Sequence, residues 1–350
     1  MTHARLPTAN LDRLPQLRTG DVSRGAAETV ADGVRWTADW AHPADEAQLL
    51  ELFARAFGHE MPAAQWRWKY AGLDPFGSVV RLGGRPIAFY GGVPRDVLHL
   101  GMPVRAVQIT DVMVDPAQRG ILTRRGAFFR AASAFAESCV GPGRAYAFAY
   151  GFPSERHTRL GERLGLYERV DEILEANWPP SGRRYSLRYR ASVLAPDDLG
   201  LIDRLWGTMV ASLHDVTVAV RDGAYVRRRY LDHPVIAYLP LLVRRRFRGA
   251  VVGLVVLRDR GESGVELIDV VAPRASFPAL VAVACRFAGR LGRARVFSWL
   301  TPSAARTFSG SHPSLAPTGI AVPTIVWGGR PDLHKLRGRW WLMGGDTDFR

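Results

Sequence analysis

Apolar positions along the chain alternate between the two-residue period of strands and the longer period of helices. From Gly33 the stretch GVRWTADWA reads as a strand, and Pro43 to Phe57 reads as a helix with Leu49, Leu50, Leu52, Phe53 and Phe57 on one face. Asp45 and Glu46 fall in its first turn, where carboxylates favour the helix dipole. RLGGRPIAFYGGVPRDVLHL and AVQITDVMVDP predict neighbouring strands, the first with a Gly-Gly turn. Leu122 to Cys139 predicts a helix with Phe128, Phe129, Ala132 and Phe135 along one side, stopped by Gly141-Pro142-Gly143. A further strand, RAYAFAYGF, leads through Pro153 into a short helix, ERHTRLGERLG. Residues 1–32 are polar and broken by proline and glycine, and read as a mobile arm. EANWPPSGRR reads as an interdomain linker over 179–184, with a second half starting at Tyr185.

The second half repeats the first. WRWKYAGLDPFGSVVRLGGRPIAFYGGVP aligns with VRRRYLDHPVIAYLPLLVRRRFRGAVVGLVVL, which sets Tyr70 against Tyr230 and Gly92 against Gly253. ITDVMVDP aligns with LIDVVAP, which sets Asp111 against Asp269 and Pro116 against Pro273. The four pairs keep nearly the same offset and run in order, as a duplicated unit with small insertions requires.

Length and composition agree with two globular units: 350 residues, 47% hydrophobic and 23% charged, exclude a disordered or fibrous chain. No apolar run nears the roughly 20 residues of a membrane span, and MTHARLPTANLDRLPQLRTGD lacks the apolar core of a signal peptide, so a cytoplasmic protein is expected. Cys139 and Cys285 stand far apart without histidines at ligand spacing; neither a disulfide framework nor a metal site is read, and both are expected as buried helix residues. The net charge of +14 is nearly all arginine, with lysine only at Lys69 and Lys335. Such a field attracts phosphorylated partners, but the basic residues are scattered and show no aromatic-interleaved stripe for nucleic acid. The densest run, Arg244-Arg245-Arg246-Phe247-Arg248, falls at an expected hairpin tip, as a solvated turn or as a site for a phosphorylated acceptor.

The chemistry concentrates in VMVDPAQRGILTRRGAFFRAASAF. A strand, a proline and an Arg-Gly turn opening directly into a helix would aim unpaired amides and the positive end of a helix dipole at one point, which suits a pyrophosphate. Arg119, Arg124 and Arg125 add cations around it.

Here the sequence resembles the GNAT superfamily of acyltransferases, whose signature is a strand ending in Val-x-Pro followed by Gln/Arg-x-x-Gly-x-Gly/Ala at a helix start. Val114, Pro116, Arg119 and Gly120 match it, whereas Leu122 and Arg124 replace the later glycines and Gly126 lies further along. The resemblance implies acetyl-CoA or another acyl-CoA as co-substrate. It implies that Arg119, Gly120, Ile121, Leu122, Thr123, Arg124 and Arg125 hold the pyrophosphate while Val112, Met113 and Val114 pair with pantetheine amides. GFPSERHTRLGERLGLYE resembles the next strand-to-helix unit, ending in Leu164-Gly165-Leu166. Many members carry Asn and Tyr where this chain has Ser154 and Gly161, so no general acid carries over, and Tyr150 and Tyr167 are the nearby substitutes.

The implied fold is α/β (α+β): two tandem GNAT-like domains, each a mixed twisted sheet flanked by helices. Residues 33–178 would hold the acyl-CoA site, and 185–350 would be a degenerate copy whose DVVAPRASFPALVAVACRFAGRL lacks the Arg-Gly turn. The implied reaction is attack by the amine of a small molecule or amino sugar on the thioester. It requires a base, N–H donors for the oxyanion, expected near Met113 and Val114 if a bulge splays the strand, and a proton for the thiolate. Asp111 and Glu155, with His157 nearby, are the candidates. Asp269 persists where the phosphate loop is lost, which points equally to a structural task for Asp111, and Glu155 equally suits a helix cap. In WWLMGGDTDFR the carboxylates of Asp346, Asp348 and Arg350 either enter the first site, as in some tandem enzymes, or belong to a frayed tail. Two other readings stay open: a Fem-like transferase using aminoacyl-tRNA, and a non-catalytic CoA-binding scaffold.

Overall fold

The computed structural model describes residues 27–31, 34–183, 185–347 and 349–350. The chain runs β1 (Ala27–Ala31), β2 (Val34–Trp40), α1 (Glu46–Phe57), α2 (Ala63–Tyr70), β3 (Gly77–Leu82), β4 (Arg85–His99) and β5 (Met102–Val114). It continues through α3 (Ala127–Cys139), β6 (Ala149–Gly151), α4 (Glu155–Leu164), β7 (Tyr167–Trp178), β8 (Tyr189–Val193) and α5 (Leu199–Val210). Next come β9 (Thr217–Ala219), α6 (Gly223–Val226), β10 (Leu239–Arg245), β11 (Val251–Asp259), β12 (Val265–Val271) and α7 (Phe277–Arg290). The last elements are β13 (Val296–Leu300), α8 (Pro302–Thr307), β14 (Ser314–Ile325), α9 (Leu333–Leu336) and β15 (Trp340–Trp341).

Two mixed sheets result. The first has the order β1-β2-β3-β4-β5-β6, and the long β4 also pairs with β9, which in turn pairs with β15. The second has the order β14-β7-β13-β12-β11-β10-β8. In each sheet the duplicated hairpin is antiparallel and its second strand runs parallel to the next, β5 beside β6 and β12 beside β13. The helices cover the faces: α3 buries Phe128, Phe129 and Phe135 against one face of the first sheet, and α1 buries Leu49, Leu52 and Phe53 against the other. Each such side chain stabilises the fold by about 1.5–3 kcal/mol. Most α1, strand and turn expectations hold, and the arginine run sits at the tip between β10 and β11, with Phe247 exposed.

Several expectations are corrected. Residues 27–31, inside the expected arm, form an edge strand paired with β2. The helix expected from Leu122 begins at Ala127, and RAYAFAYGF supplies a strand only over Ala149–Gly151. Helix α2 carried no apolar stripe to read, because its buried face combines Trp66 and Tyr70 with the charged Lys69 while Trp68 lies off that face. The segment 179–184 does not separate the sheets: β7, which precedes it, lies between β14 and β13 in the second sheet, while β9 and β15, which follow it, belong to the first. The arginine-free part of this segment packs on α7, with the Ser181 amide donating to the Cys285 carbonyl at 2.9 Å. Cys139 is buried and Cys285 half-buried, each on a helix. Among the described residues, no helix is long and apolar enough to cross a membrane, and no group of three His, Cys, Asp or Glu is placed to hold a metal ion.

Candidate active site

Strands β5 and β6 pair in parallel over Val107↔Ala149, Gln108↔Tyr150 and Ile109↔Gly151 only. Beyond Gly151 the chain turns away through Phe152 and Pro153 into α4, while β5 continues to Val114, so a wedge opens in the sheet. On its other edge β5 slips register against β4: Phe89 faces Met113 but Gly91 faces Thr110. Asp111 and Val112 thus oppose Tyr90 alone, a β-bulge that leaves backbone groups out of the ladder. Asp111 sits at φ +47°, the left-handed region, which turns the strand at this point. The slip lies at Asp111 and Val112 and not at Met113 and Val114, which stay paired with Phe89 and Ala88.

Wedge and bulge share one cavity of about 370 Å³. It passes through the sheet, with Tyr90, Ile109, His157 and Tyr167 on the α3 side and Phe53, Phe57, Phe152 and Phe349 among the residues on the other. Asp111 contributes its bulged backbone, but its carboxylate is already shared. Oδ2 receives Lys69 Nζ at 2.6 Å and the Tyr70 hydroxyl at 2.6 Å, with Thr110 Oγ1 at 3.3 Å. Lys69 is buried to 3% exposure, which makes this an internal ion pair. Lys69 was not among the sequence candidates; its signal was being one of two lysines in a chain of arginines.

Of the other candidates, Tyr150, Tyr167 and His157 line the cavity, whereas Glu155 does not. Hydrogen bonds from Arg169 at 3.1 Å and Arg159 at 3.0 Å hold the Glu155 carboxyl below its ordinary range on the surface of α4. The Tyr167 and Tyr90 hydroxyls lie 2.9 Å apart, and burial pushes both phenols up. Tyr150 stacks on Trp340 with centroids 4.5 Å apart; its hydroxyl is buried without a hydrogen-bond partner, and burial pushes it up as well. His157 Nε2 is likewise buried and unpartnered, its ring edge against Phe128 at 4.7 Å, and burial lowers the imidazole to about 4. The Ser154 hydroxyl caps α4 by accepting from the His157 amide at 3.4 Å.

The phosphate-loop candidates are spread over a longer path than the signature suggests. The Arg-Gly turn does not open directly into α3; Ile121 to Arg125 form a separate turn, and Gly126 is the helix N-cap. A Cβ on Gly126 would stand 2.0 Å from the Ile121 carbonyl oxygen, so only glycine lets the loop close on the helix, whereas Gly120 has open space around it. Arg119 is folded back, donating to the Val114 carbonyl at 3.0 Å and the Ala56 carbonyl at 2.6 Å. Arg124 donates to the Leu164 carbonyl at 3.2 Å and lies 4.9 Å over the Trp327 ring. Arg125 is exposed, and its backbone brackets the turn through the Thr123 hydroxyl at 3.3 Å and Arg130 Nε at 3.1 Å. Leu122 is exposed and Ile121 packs against the core under α3. With no side-chain cap at Gly126, the first-turn amides of α3 remain open to an anion.

Residues 39–169 match the family described as "Acetyltransferase (GNAT) domain". Over this stretch the first half carries a GNAT domain. No sequence among curated proteins matches the chain. Solved structures show the same fold at low identity. A GCN5-related N-acetyltransferase from Anabaena variabilis ATCC 29413 is 13% identical with TM-score 0.61, covering 83% of this chain and 72% of that one. A GCN5-related N-acetyltransferase from Kribbella flavida is 14% identical with TM-score 0.60, covering 83% and 70%. Saccharomyces cerevisiae N-myristoyltransferase, solved with bound myristoyl-CoA and inhibitors, is 9% identical with TM-score 0.57, covering 91% and 85%. The two sheets are thus tandem GNAT-like halves, and the GNAT fold is one that binds acyl-CoA.

The second GNAT-like half also has a bulge near the corresponding place, with Ile268 of β12 extra between Val256 and Leu257 of β11 and Asp269 still paired with Val256, but its wedge is filled by the chain itself. Residues Met343 to Asp346 run between β12 and β13, and Met343 bridges to Leu300. Gly345 comes so close that a Cβ would stand 2.1 Å from the Tyr230 hydroxyl and 2.9 Å from Asp269 Oδ2. Asp346 pairs with the fully buried Arg221, which also donates to Asp269 at 2.9 Å. Asp346 therefore belongs to the second wedge, not the first. The terminal carboxylate of Arg350 accepts from Arg229 at 3.1 Å, also in the second half, and Asp348 lies outside the described residues. Phe349 alone of the described tail residues reaches the first wedge, against Phe152.

Proposed function

We propose that this GNAT chain is an enzyme, an acyl-CoA-dependent N-acyltransferase that moves an acetyl group to the amine of a small molecule, working in the wedge of its first half. The observation that carries this reading is the coincidence, in one cavity, of the β5 bulge and the parting of β5 from β6. The residues present fit the co-substrate: an apolar slot beside Ile109 and Val112 suits a pantetheine arm, and the amides opening α3 with Arg125 suit its pyrophosphate. The acetyl group follows the description of the matching family.

When bound, acyl-CoA supplies the activated carbonyl. The unpaired backbone of the bulge would offer N–H donation to its oxygen, and Lys69 and Tyr70, by gripping Asp111, hold that bulge in place. Neutral His157, with an unpartnered Nε2 on the cavity wall, is the group best placed to exchange a proton as the C–N bond forms and the C–S bond breaks. We place Asp111 as a positioning residue and Glu155 outside the reaction. Amino sugars fit less well as acceptors, because Asp111 supplies the cavity's one carboxylate among the described lining residues and is already engaged. Two free thiols agree with work in the cytoplasm.

Calorimetric titration of acetyl-CoA into the wild type and Val112→Trp tests the site, followed by thiol release with a panel of amines. Saturable binding abolished by the tryptophan, with amine-dependent thiol release, supports the reading. Binding without release from any amine would mark a scaffold, and no binding at all would sink the CoA assignment.

A further inference from the structure

The second sheet ends at β8, an edge strand exposed along nearly its whole length. The segment leading into it lies against the tip between β10 and β11: the Arg246 amide donates to the Arg188 carbonyl at 2.9 Å, and Arg246 Nε donates to the Ser186 carbonyl at 2.9 Å. These bonds bring Tyr185, Leu187 and Phe247 into one neighbourhood. The three are 81%, 80% and 85% exposed, more than any other large hydrophobic side chain among the described residues. A single exposed apolar side chain is ordinary, whereas three gathered at one sheet edge mark a surface kept for a partner.

The same place is rich in cations. Arg183, Arg188, Arg190, Arg245, Arg246 and Arg248 are exposed, and neither 183–193 nor 245–250 contains an aspartate or a glutamate. Arg244, at the base of the hairpin, pairs with Asp198 at 3.2 Å, but among the described residues none of the six forms an ion pair. Like charges gathered without counter-charges set up a local positive field that attracts an anionic surface. Charge on an edge strand can serve merely to discourage pairing with another chain, but bare rings and a bare leucine work against that task.

The partner must therefore offer anions and an apolar phase together. A bilayer with anionic lipids does so: its phosphates accept from guanidinium forks, and the boundary beneath them takes aromatic and aliphatic side chains. Arginine suits such a border, because its apolar stem follows the rings inward while its head stays at the phosphates. A nucleic acid would answer the arginines but leave Leu187 in water. We propose that the β8 edge and the β10–β11 tip dock this protein on an anionic lipid bilayer, with Tyr185, Leu187 and Phe247 entering the headgroup layer and the surrounding arginines bound to lipid phosphates. The proposal stands apart from the acyl-transfer reading above.

Sedimentation of the full chain with vesicles tests this, using phosphatidylcholine alone and an equal mixture with phosphatidylglycerol, each at low and high salt. Partition at least tenfold stronger onto the mixed vesicles, weakening as salt rises, is expected. Because a net charge of +14 attracts anionic vesicles from any side, two variants locate the contact. Phe247→Ser with Leu187→Ser, and Arg245→Gln with Arg248→Gln, should each lower partition at least tenfold while melting as the wild type does, since all four positions are exposed. Phe247→Trp should partition like the wild type, and its added indole emission should be quenched by brominated phosphatidylcholine in the mixed vesicles. No preference for the anionic vesicles, or full partition by both double variants, overturns the docking surface. Loss in the arginine pair alone, with no quenching of the new indole, overturns the insertion. Tight binding of a transfer RNA mixture that both double variants lose, beside no vesicle binding, overturns the proposal in favour of a nucleic-acid surface.

Discussion

Tyr230 donates to Asp269 at 2.7 Å through the centre of the second half, and Tyr70 makes the same bond to Asp111 at 2.6 Å in the first. Both pairs brace a bulge on the strand next to a wedge, one open and one filled. Replacing Tyr230 by phenylalanine should therefore cost about 1–3 kcal/mol of stability in chemical denaturation and leave acetyl-CoA affinity unchanged. Tyr70→Phe should cost a similar amount and also lower kcat/KM. Equal kinetic effects from both would show that the bulge, as such, does not set the site.

Lys69→Met leaves the Asp111 carboxylate buried without its cation, which should destabilise the chain by about 3–5 kcal/mol. Adding Asp111→Asn should recover much of that loss, because the uncompensated charge goes with it. Denaturation midpoints of the two single variants and the double variant decide this; simple additivity contradicts the ion pair as described.

The glycine of the signature turn and the glycine of the helix cap should differ sharply. Gly120→Ala meets open space and should bind acetyl-CoA as the wild type does, while Gly126→Ala drives a methyl group into the Ile121 carbonyl and should weaken binding at least tenfold. Calorimetry on both variants is sufficient, and a reversed order would mean that the loop closes differently when occupied.

His157 makes stability depend on pH. Its folded value of about 4 lies below the ordinary 6.5, so the stability it contributes is complete above about pH 6.5 and is lost as pH falls towards 4. The loss at the lower limit is about 3 kcal/mol. His233, also lowered to about 4, acts over the same window, so the comparison to make is wild type against His157→Gln by melting between pH 7 and 4.5. The variant should show the shallower decline.

Much of this fold was legible where the signal was local. The Gly-Gly turn, the α1 stripe and the repeated Tyr, Asp and Pro landmarks read correctly because each reports on its own few residues. The bulge expected near Met113 and Val114 lies at Asp111 and Val112, because a register slip is a property of two strands and leaves no mark along either one alone. Helix α2 escaped because its one buried face, Trp66, Lys69 and Tyr70, includes a charged residue while the aromatic Trp68 lies off that face. The filling of the second wedge by Gly344 and Gly345 left no pattern beyond two small residues, whose meaning lies in what they touch, Glu266, Asp269 and Tyr230. Lys69 hid for the same reason: nothing along the sequence announces that its partner is Asp111.

The strand exchange between the halves also orders events during synthesis. β7 leaves the ribosome with the first half but finds its neighbours β13 and β14 only after more than a hundred further residues have been made. β4 waits as long for β9, and β9 longer still for β15. Such distant pairings slow folding and leave strand edges bare meanwhile. Neither half can be completed while the other is unmade, so the nascent chain should hold both sheets unfinished until Trp340 and Trp341 emerge, and then close them together.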